Sequence, residues 1–135
     1  MLELLRGDAF HVEVRGVSRA GFTRCRGLSA GVDVLEYKEG GYGGTRVFPD
    51  SRQSGRVVLE RGIARDRELW EWFEAGDPRE SAVVLLDGSG EERMRWILRQ
   101  AWPCRWEGPD LRADRCEVAV ERLEIVYEGL EWRTS

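Results

Sequence analysis

Cys116-Glu117-Val118-Ala119-Val120-Glu121-Arg122-Leu123-Glu124-Ile125-Val126-Tyr127-Glu128 carries the longest strand signal in the chain. Cys116, Val118 and Val120 recur every second residue, the period of a strand with one buried face. From Leu123 onward the apolar set, Leu123, Ile125 and Tyr127, falls on the opposite face. A one-residue change of phase carries every side chain across the sheet. The flip near Arg122 therefore predicts a bulge, or a strand that leaves one core for another.

Upstream the same period recurs in shorter pieces. Phe10, Val12 and Val14 alternate with His11, Glu13 and Arg15; a strand is expected over Phe22 to Arg26, and another over Gly31 to Tyr37 with a bulge or bend where Leu35 and Tyr37 change the phase. Residues 39–55 hold Gly40, Gly41, Gly43, Gly44, Pro49, Asp50, Ser51 and Ser54, a density of turn formers that predicts a long surface loop. Strand character returns at Arg56 to Arg61. Ala82 to Leu86, a turn at Asp87-Gly88-Ser89-Gly90, and Glu91 to Gln100 read as a hairpin. Trp102, Cys104 and Trp106 then share a face, and Pro103, which has no amide hydrogen to donate, marks an edge strand or a strand start.

The period changes only once, to that of a helix, between about Arg67 and Ala75. Leu69, Trp72 and Phe73 stand at i, i+3 and i+4 and so share one face, with Asp66 as the capping carboxylate and Gly76 as the left-handed stop. A helix of this length is not stable alone in water and must pack on a sheet. These elements make a single domain over residues 1–135, mainly β: an antiparallel two-sheet sandwich or partly closed barrel with one short flanking helix.

Composition bounds the chemistry. The chain has 135 residues with 21 basic and 25 acidic side chains, a net charge of −4, so it lacks the overall positive charge of a nucleic-acid binder. The run Ala82-Val83-Val84-Leu85-Leu86 is far short of the roughly 20 residues that cross a bilayer, and Met1-Leu2-Glu3-Leu4-Leu5 lacks a basic start, so no membrane insertion and a cytoplasmic product are expected. Cys25, Cys104 and Cys116 match neither a zinc pair nor an even disulfide framework and are expected to be small buried thiols. His11 has no spacing to a nucleophile and reads as solvated or ion-paired; the acidic residues show no catalytic pairing. Gly40-Gly41-Tyr42-Gly43-Gly44-Thr45-Arg46 is followed by no helix pattern that would complete a phosphate cradle, and is read instead as a loop ordered by a partner. No catalytic residue, metal or cofactor is expected. The six tryptophans sit at core periodicity, with Trp132 the one assigned to an interface. Lys38 is the only lysine.

Several stretches read together resemble a known family, the inner-tube proteins of contractile phage tails (T4-like tail tube family) and of bacterial contractile injection systems. They are Val32-Asp33-Val34-Leu35-Glu36-Tyr37-Lys38-Glu39-Gly40-Gly41, Leu59-Glu60-Arg61-Gly62-Ile63, Asp66-Arg67-Glu68-Leu69-Trp70-Glu71-Trp72 and Trp102-Pro103-Cys104-Arg105-Trp106-Glu107-Gly108-Pro109-Asp110-Leu111. The resemblance implies an orthogonal β-sandwich or barrel, six copies closing into a ring, and rings stacking into a conduit inside a sheath. Its implied partners are further copies of itself, a sheath protein, baseplate or spike and tube-terminating proteins, and a cargo effector or phage DNA passing through. Assembly in the bacterial cytoplasm and residence in a virion or injection particle follow from it. On this reading Tyr42, Arg46, Phe48, Glu131 and Trp132 are expected at contacts between subunits, and Glu117 and Glu121 are expected to line the bore, where like charge would keep polyanions from sticking. A tube-end or baseplate-adaptor paralogue and a small ligand-binding β-barrel are the alternatives.

Overall fold

The computed structural model describes residues 4–19, 21–38 and 43–135. The elements run β1 (Phe10–Val14), β2 (Phe22–Arg26), β3 (Val32–Lys38), β4 (Thr45–Arg52), β5 (Gly55–Gly62), α1 (Glu68–Ala75), β6 (Arg79–Leu86), β7 (Glu92–Glu107), β8 (Val120–Tyr127) and β9 (Gly129–Thr134). All pairings are antiparallel. Strands follow one another in the order β1-β6-β7-β8-β5-β2, with β9 added on β7, while β3 and β4 form a separate two-stranded sheet. The path ends at β1 and β2, which are not hydrogen-bonded to each other, so the expected fold class holds as an open sandwich and not as a closed barrel. The barrel alternative also lacks an internal space, because Trp72, Tyr127, Leu59, Leu69, Leu98, Leu123 and Ile125 fill the middle.

The strand that passes from one sheet to the other is β7. Its first half pairs with β6 and β9, and its second half, from Trp102 to Glu107, pairs with β8. Two reading expectations change here. Gln100 adopts a left-handed conformation (φ 53°) beside a register shift, so Leu98 and Ala101 both reach the core although their numbers differ in parity. A second shift between Pro103 and Arg105 brings Trp106 back towards the core and leaves Trp102 exposed, so Trp102, Cys104 and Trp106 do not share a face. Pro103 sits in the half of β7 whose ladder is with β8 alone, as an edge residue should.

The stretch from Cys116 to Glu128 is correspondingly shorter as a strand. β8 begins at Val120, and Glu121, Leu123, Ile125 and Tyr127 face inward together. The apparent flip near Arg122 arises because Cys116 and Val118 precede the strand; Val118 is 82% exposed. The loop expected over residues 39–55 is also corrected: Thr45–Arg52 is a strand that pairs with β3 through Pro49 opposite Val34. Turn-forming residues are tolerated there because β4 has a partner on one side only. A final strand, β9, lies where no strand was expected.

α1 carries Leu69 and Trp72 into the core. Asp66 caps from one position further out than expected, its carboxylate accepting the Glu68 amide at 3.0 Å, while Arg67 takes the cap position in a left-handed conformation. Gly76 is the left-handed stop, its N–H donating to the Trp72 carbonyl. The Tyr127 ring lies over its register partner Gly55, where a Cβ would stand 2.3 Å from the ring, so only glycine fits.

Candidate assembly surface

Two regions decide what the chain can do, one closed and one open. The closed region is an ionic knot around Arg61, which is only 2% exposed. Arg61 stands directly opposite Glu121 in the β5–β8 ladder and donates to it at 3.1 Å, to Glu68 at 3.3 Å and to Asp66 at 3.2 Å. The second Glu121 oxygen accepts the Trp106 indole N–H at 2.9 Å, and Glu68 also accepts the Ser18 amide at 2.7 Å. Arg61 further lies over the Phe22 ring at 5.6 Å. One guanidinium thus ties together β2, β5, β7, β8 and the start of α1, with every buried charge paired as burial requires. Among the described residues no buried side-chain nitrogen or oxygen lacks a partner.

This corrects the expectation for Glu121. It is 2% exposed and both of its oxygens are taken, so it presents no charge to any bore. Glu117 is exposed and lies 3.4 Å from Arg115, which offsets its charge.

The open region is the β3–β4 hairpin. All seven residues of β3 and all eight of β4 are exposed. The base is tied by polar bonds, with Gln53 and Ser51 donating to the Asp33 carboxylate and the Gln53 amide donating to the Gly31 carbonyl. Beyond that base Leu35 stands opposite Phe48, and Tyr37, two residues on, shares their face beside Arg46. Val34 and Val47 lie on the other face. A lone two-stranded hairpin with uncovered apolar residues on both faces is marginal in water.

Of the expected contact residues, Arg46 and Phe48 belong to this hairpin, and Tyr42 lies outside the described residues. Glu131 and Trp132 are elsewhere, on β9, which pairs with β7 alone. Trp132 is 61% exposed and stacks on Trp96 with ring centroids 6.1 Å apart; Glu131 binds Arg99 and Arg133. β1 and β2 likewise have a single partner each. The signal that sequence reading missed is parity: Arg61 follows Val57 and Leu59, and Glu121 precedes Leu123 and Ile125, each at the buried period.

The catalytic candidates stay apart. His11 Nε2 lies 3.0 Å from Glu13, whose carboxyl is held well below its ordinary 4.5, at about 2, chiefly by Arg95. Cys25 is pushed up to about 11 by burial, and Cys104 is raised chiefly by the same cause; none of the three thiols is fully buried, Cys25 and Cys104 being half-buried and Cys116 exposed, contrary to the expectation of buried thiols. Among the described residues no group of three or more His, Cys, Asp or Glu side chains is placed to hold a metal ion, and no helix is long and apolar enough to cross a membrane.

A sandwich whose core is complete, yet which holds out an apolar hairpin and three strands with an open edge, has the build of an assembly subunit. The profile of the T4-like virus tail tube protein gp19 family matches residues 8–131, and the chain belongs to that family. The fold is similar to the tube-terminating cap of the anti-feeding prophage (22% identity, TM-score 0.89, covering 100% of this chain and 94% of that one). It is also similar to a chain of the extended PVC sheath–tube complex, an extracellular contractile injection system (22%, 0.87, 98% and 93%). A third likeness is to the anti-feeding prophage baseplate, solved with 6-fold symmetry (24%, 0.80, 99% and 98%). No curated protein sequence is significantly similar.

Proposed function

We propose that this chain is a non-catalytic subunit of the hollow inner tube of a contractile tail or injection particle, six copies closing into a ring and rings stacking inside a sheath. The observation that carries the reading is the β3–β4 hairpin, whose Leu35, Tyr37, Val47 and Phe48 are all exposed and reach their stable state only against another subunit. Membership of the tail tube family supports it. Its partners are further copies, a sheath protein, and baseplate and tube-terminating proteins, with an effector or DNA as cargo. Rings form in the bacterial cytoplasm and end in the particle. Arg46 and Phe48 meet one neighbour through the hairpin, Glu131 and Trp132 another through the open edge of β9, and Tyr42 is a further residue at contacts between subunits. Glu117 is the acidic residue left to face the bore.

A terminal position on the tube is the second reading, favoured by the likeness to the tube-terminating cap. The two differ in growth: a tube subunit polymerises without a set length, whereas a terminator stops at one ring. Electron microscopy and native mass spectrometry of the purified chain test both, with tubes or rings in multiples of six expected. A protein that stays monomeric at high concentration, with sheath and baseplate proteins present, would end the proposal.

A further inference from the structure

The β3–β4 hairpin joins the sandwich by two legs. The first covers residues 27–31, after β2; the second runs over residues 53 and 54 into Gly55, the first residue of β5. Both legs meet at one phenol. The Tyr127 hydroxyl donates to the Ser29 carbonyl at 2.7 Å and accepts the Ser29 amide at 3.2 Å, so it grips both polar groups of one residue in the first leg. The same end of the ring lies over Gly55, where a Cβ would stand 2.4 Å from the hydroxyl oxygen. Tyr127 is only 1% exposed and belongs to the core with Leu123 and Ile125, so its ring cannot follow a swinging leg without opening close-packed interior.

The legs are also tied to the sandwich and to each other. Gly27 is left-handed (φ 101°) and brings the first leg against β5, where a Cβ would stand 2.7 Å from the Arg56 carbonyl oxygen. The Gln53 amide donates to the Gly31 carbonyl at 2.9 Å, and its side-chain amide to the Asp33 carboxylate at 2.8 Å. These bonds lie at the base, so they decide where the hairpin points and leave its apolar residues uncovered.

We infer that Tyr127 is a positioning residue for assembly, setting the direction in which the hairpin leaves the sandwich before any neighbour is met. The inference rests on the tube reading and adds to it the residue that prepares the contact. A segment ordered only on contact loses conformational freedom at that moment, whereas a segment already held does not, so a held hairpin assembles at lower concentration than a swinging one. Tyr127→Phe separates the two states: it keeps the ring over Gly55 and the core filled, and releases the first leg.

The test reads direction and assembly separately. Residual dipolar couplings of the backbone amides are measured in a dilute aligned medium on the Phe48→Ser chain, which removes a contact residue and keeps the protein monomeric. With Tyr127 present, one alignment tensor should fit β3 and β4 together with β5 and β8. After Tyr127→Phe the hairpin couplings should shrink while those of β5 and β8 stay, and the Ser29 amide should lose its protection from hydrogen exchange. In the chain with Phe48 intact, Tyr127→Phe should raise the concentration needed for rings about three- to tenfold. Ile125→Val, a core change in the same strand, should leave both the hairpin couplings and assembly as they were. Hairpin couplings already averaged with Tyr127 present, or unchanged by Tyr127→Phe, overturn the inference, and so does unaltered assembly of that variant. A chain that forms no rings while its hairpin still fits the single tensor, and loses that fit on Tyr127→Phe, removes the tube reading and leaves the setting of the hairpin by Tyr127 in place.

Discussion

The β5–β8 and β3–β4 ladders are near equals in length and opposites in environment. Along β5 and β8 every second residue is buried, and the ladder ends at a fully paired Arg61–Glu121 bridge. Along β3 and β4 nothing is buried on either face. The first ladder is stabilised within the chain, the second by what it meets. Stability and assembly should therefore respond to different substitutions.

The largest effect on stability belongs to Arg61. Arg61→Ala leaves Glu121 buried without its counter-charge and should cost about 3–5 kcal/mol, seen as a lower denaturation midpoint in urea. Loss of less than about 1 kcal/mol would mean that the knot opens to water and the contrast between the ladders is weaker than drawn. Tyr127→Phe comes next. The Tyr127 hydroxyl donates to the Ser29 carbonyl at 2.7 Å and accepts the Ser29 amide at 3.2 Å, and its removal should cost about 1–2 kcal/mol in the same assay.

A smaller, pH-dependent effect belongs to Glu13. Its carboxyl titrates at about 2 in the folded chain against an ordinary 4.5, chiefly through Arg95. The depressed value means that its stabilising contribution is complete above about pH 4.5 and fades as pH falls towards 2. The difference in Tm between wild type and Glu13→Gln should shrink over that window. The smallest effect on stability is that of Phe48→Ser, within about 0.5 kcal/mol for the monomer, because the residue is already in water. The same variant should abolish rings in electron micrographs. A large destabilisation of the monomer would show that the hairpin packs on its own chain and would break the comparison.

The same contrast sets what could be read from the residues. β1, β5 and α1 are legible because each buries one face and so prints a period of two or 3.6 on the sequence, whereas β6, buried on both faces from Ser81 to Val84, shows as an apolar run. β4 was not legible, since a strand that buries neither face has no reason to alternate, and Pro49, Asp50 and Ser51 then look like loop. β7 was read as two strands because Gln100 and the shift beside Pro103 reset its phase. β9 does alternate, Leu130 and Trp132 against Glu131 and Arg133, but two apolar residues are too short a run to establish a period of their own. Glu121 was assigned to a surface on charge alone, although Leu123, Ile125 and Tyr127 at the same parity place it inside. Arg46, Phe48 and Trp132, expected at contacts between subunits from the family resemblance and, for Trp132, from its position, are exposed in this chain.

The passage of β7 through both sheets has a mechanical consequence. Its 16 residues form a covalent spine that both halves of the sandwich grip through hydrogen-bonded ladders. Pulling the halves apart along that spine shears many bonds at once instead of unzipping them one by one. Heat should accordingly melt the two halves together, in one transition reported alike by tryptophan fluorescence and far-ultraviolet dichroism.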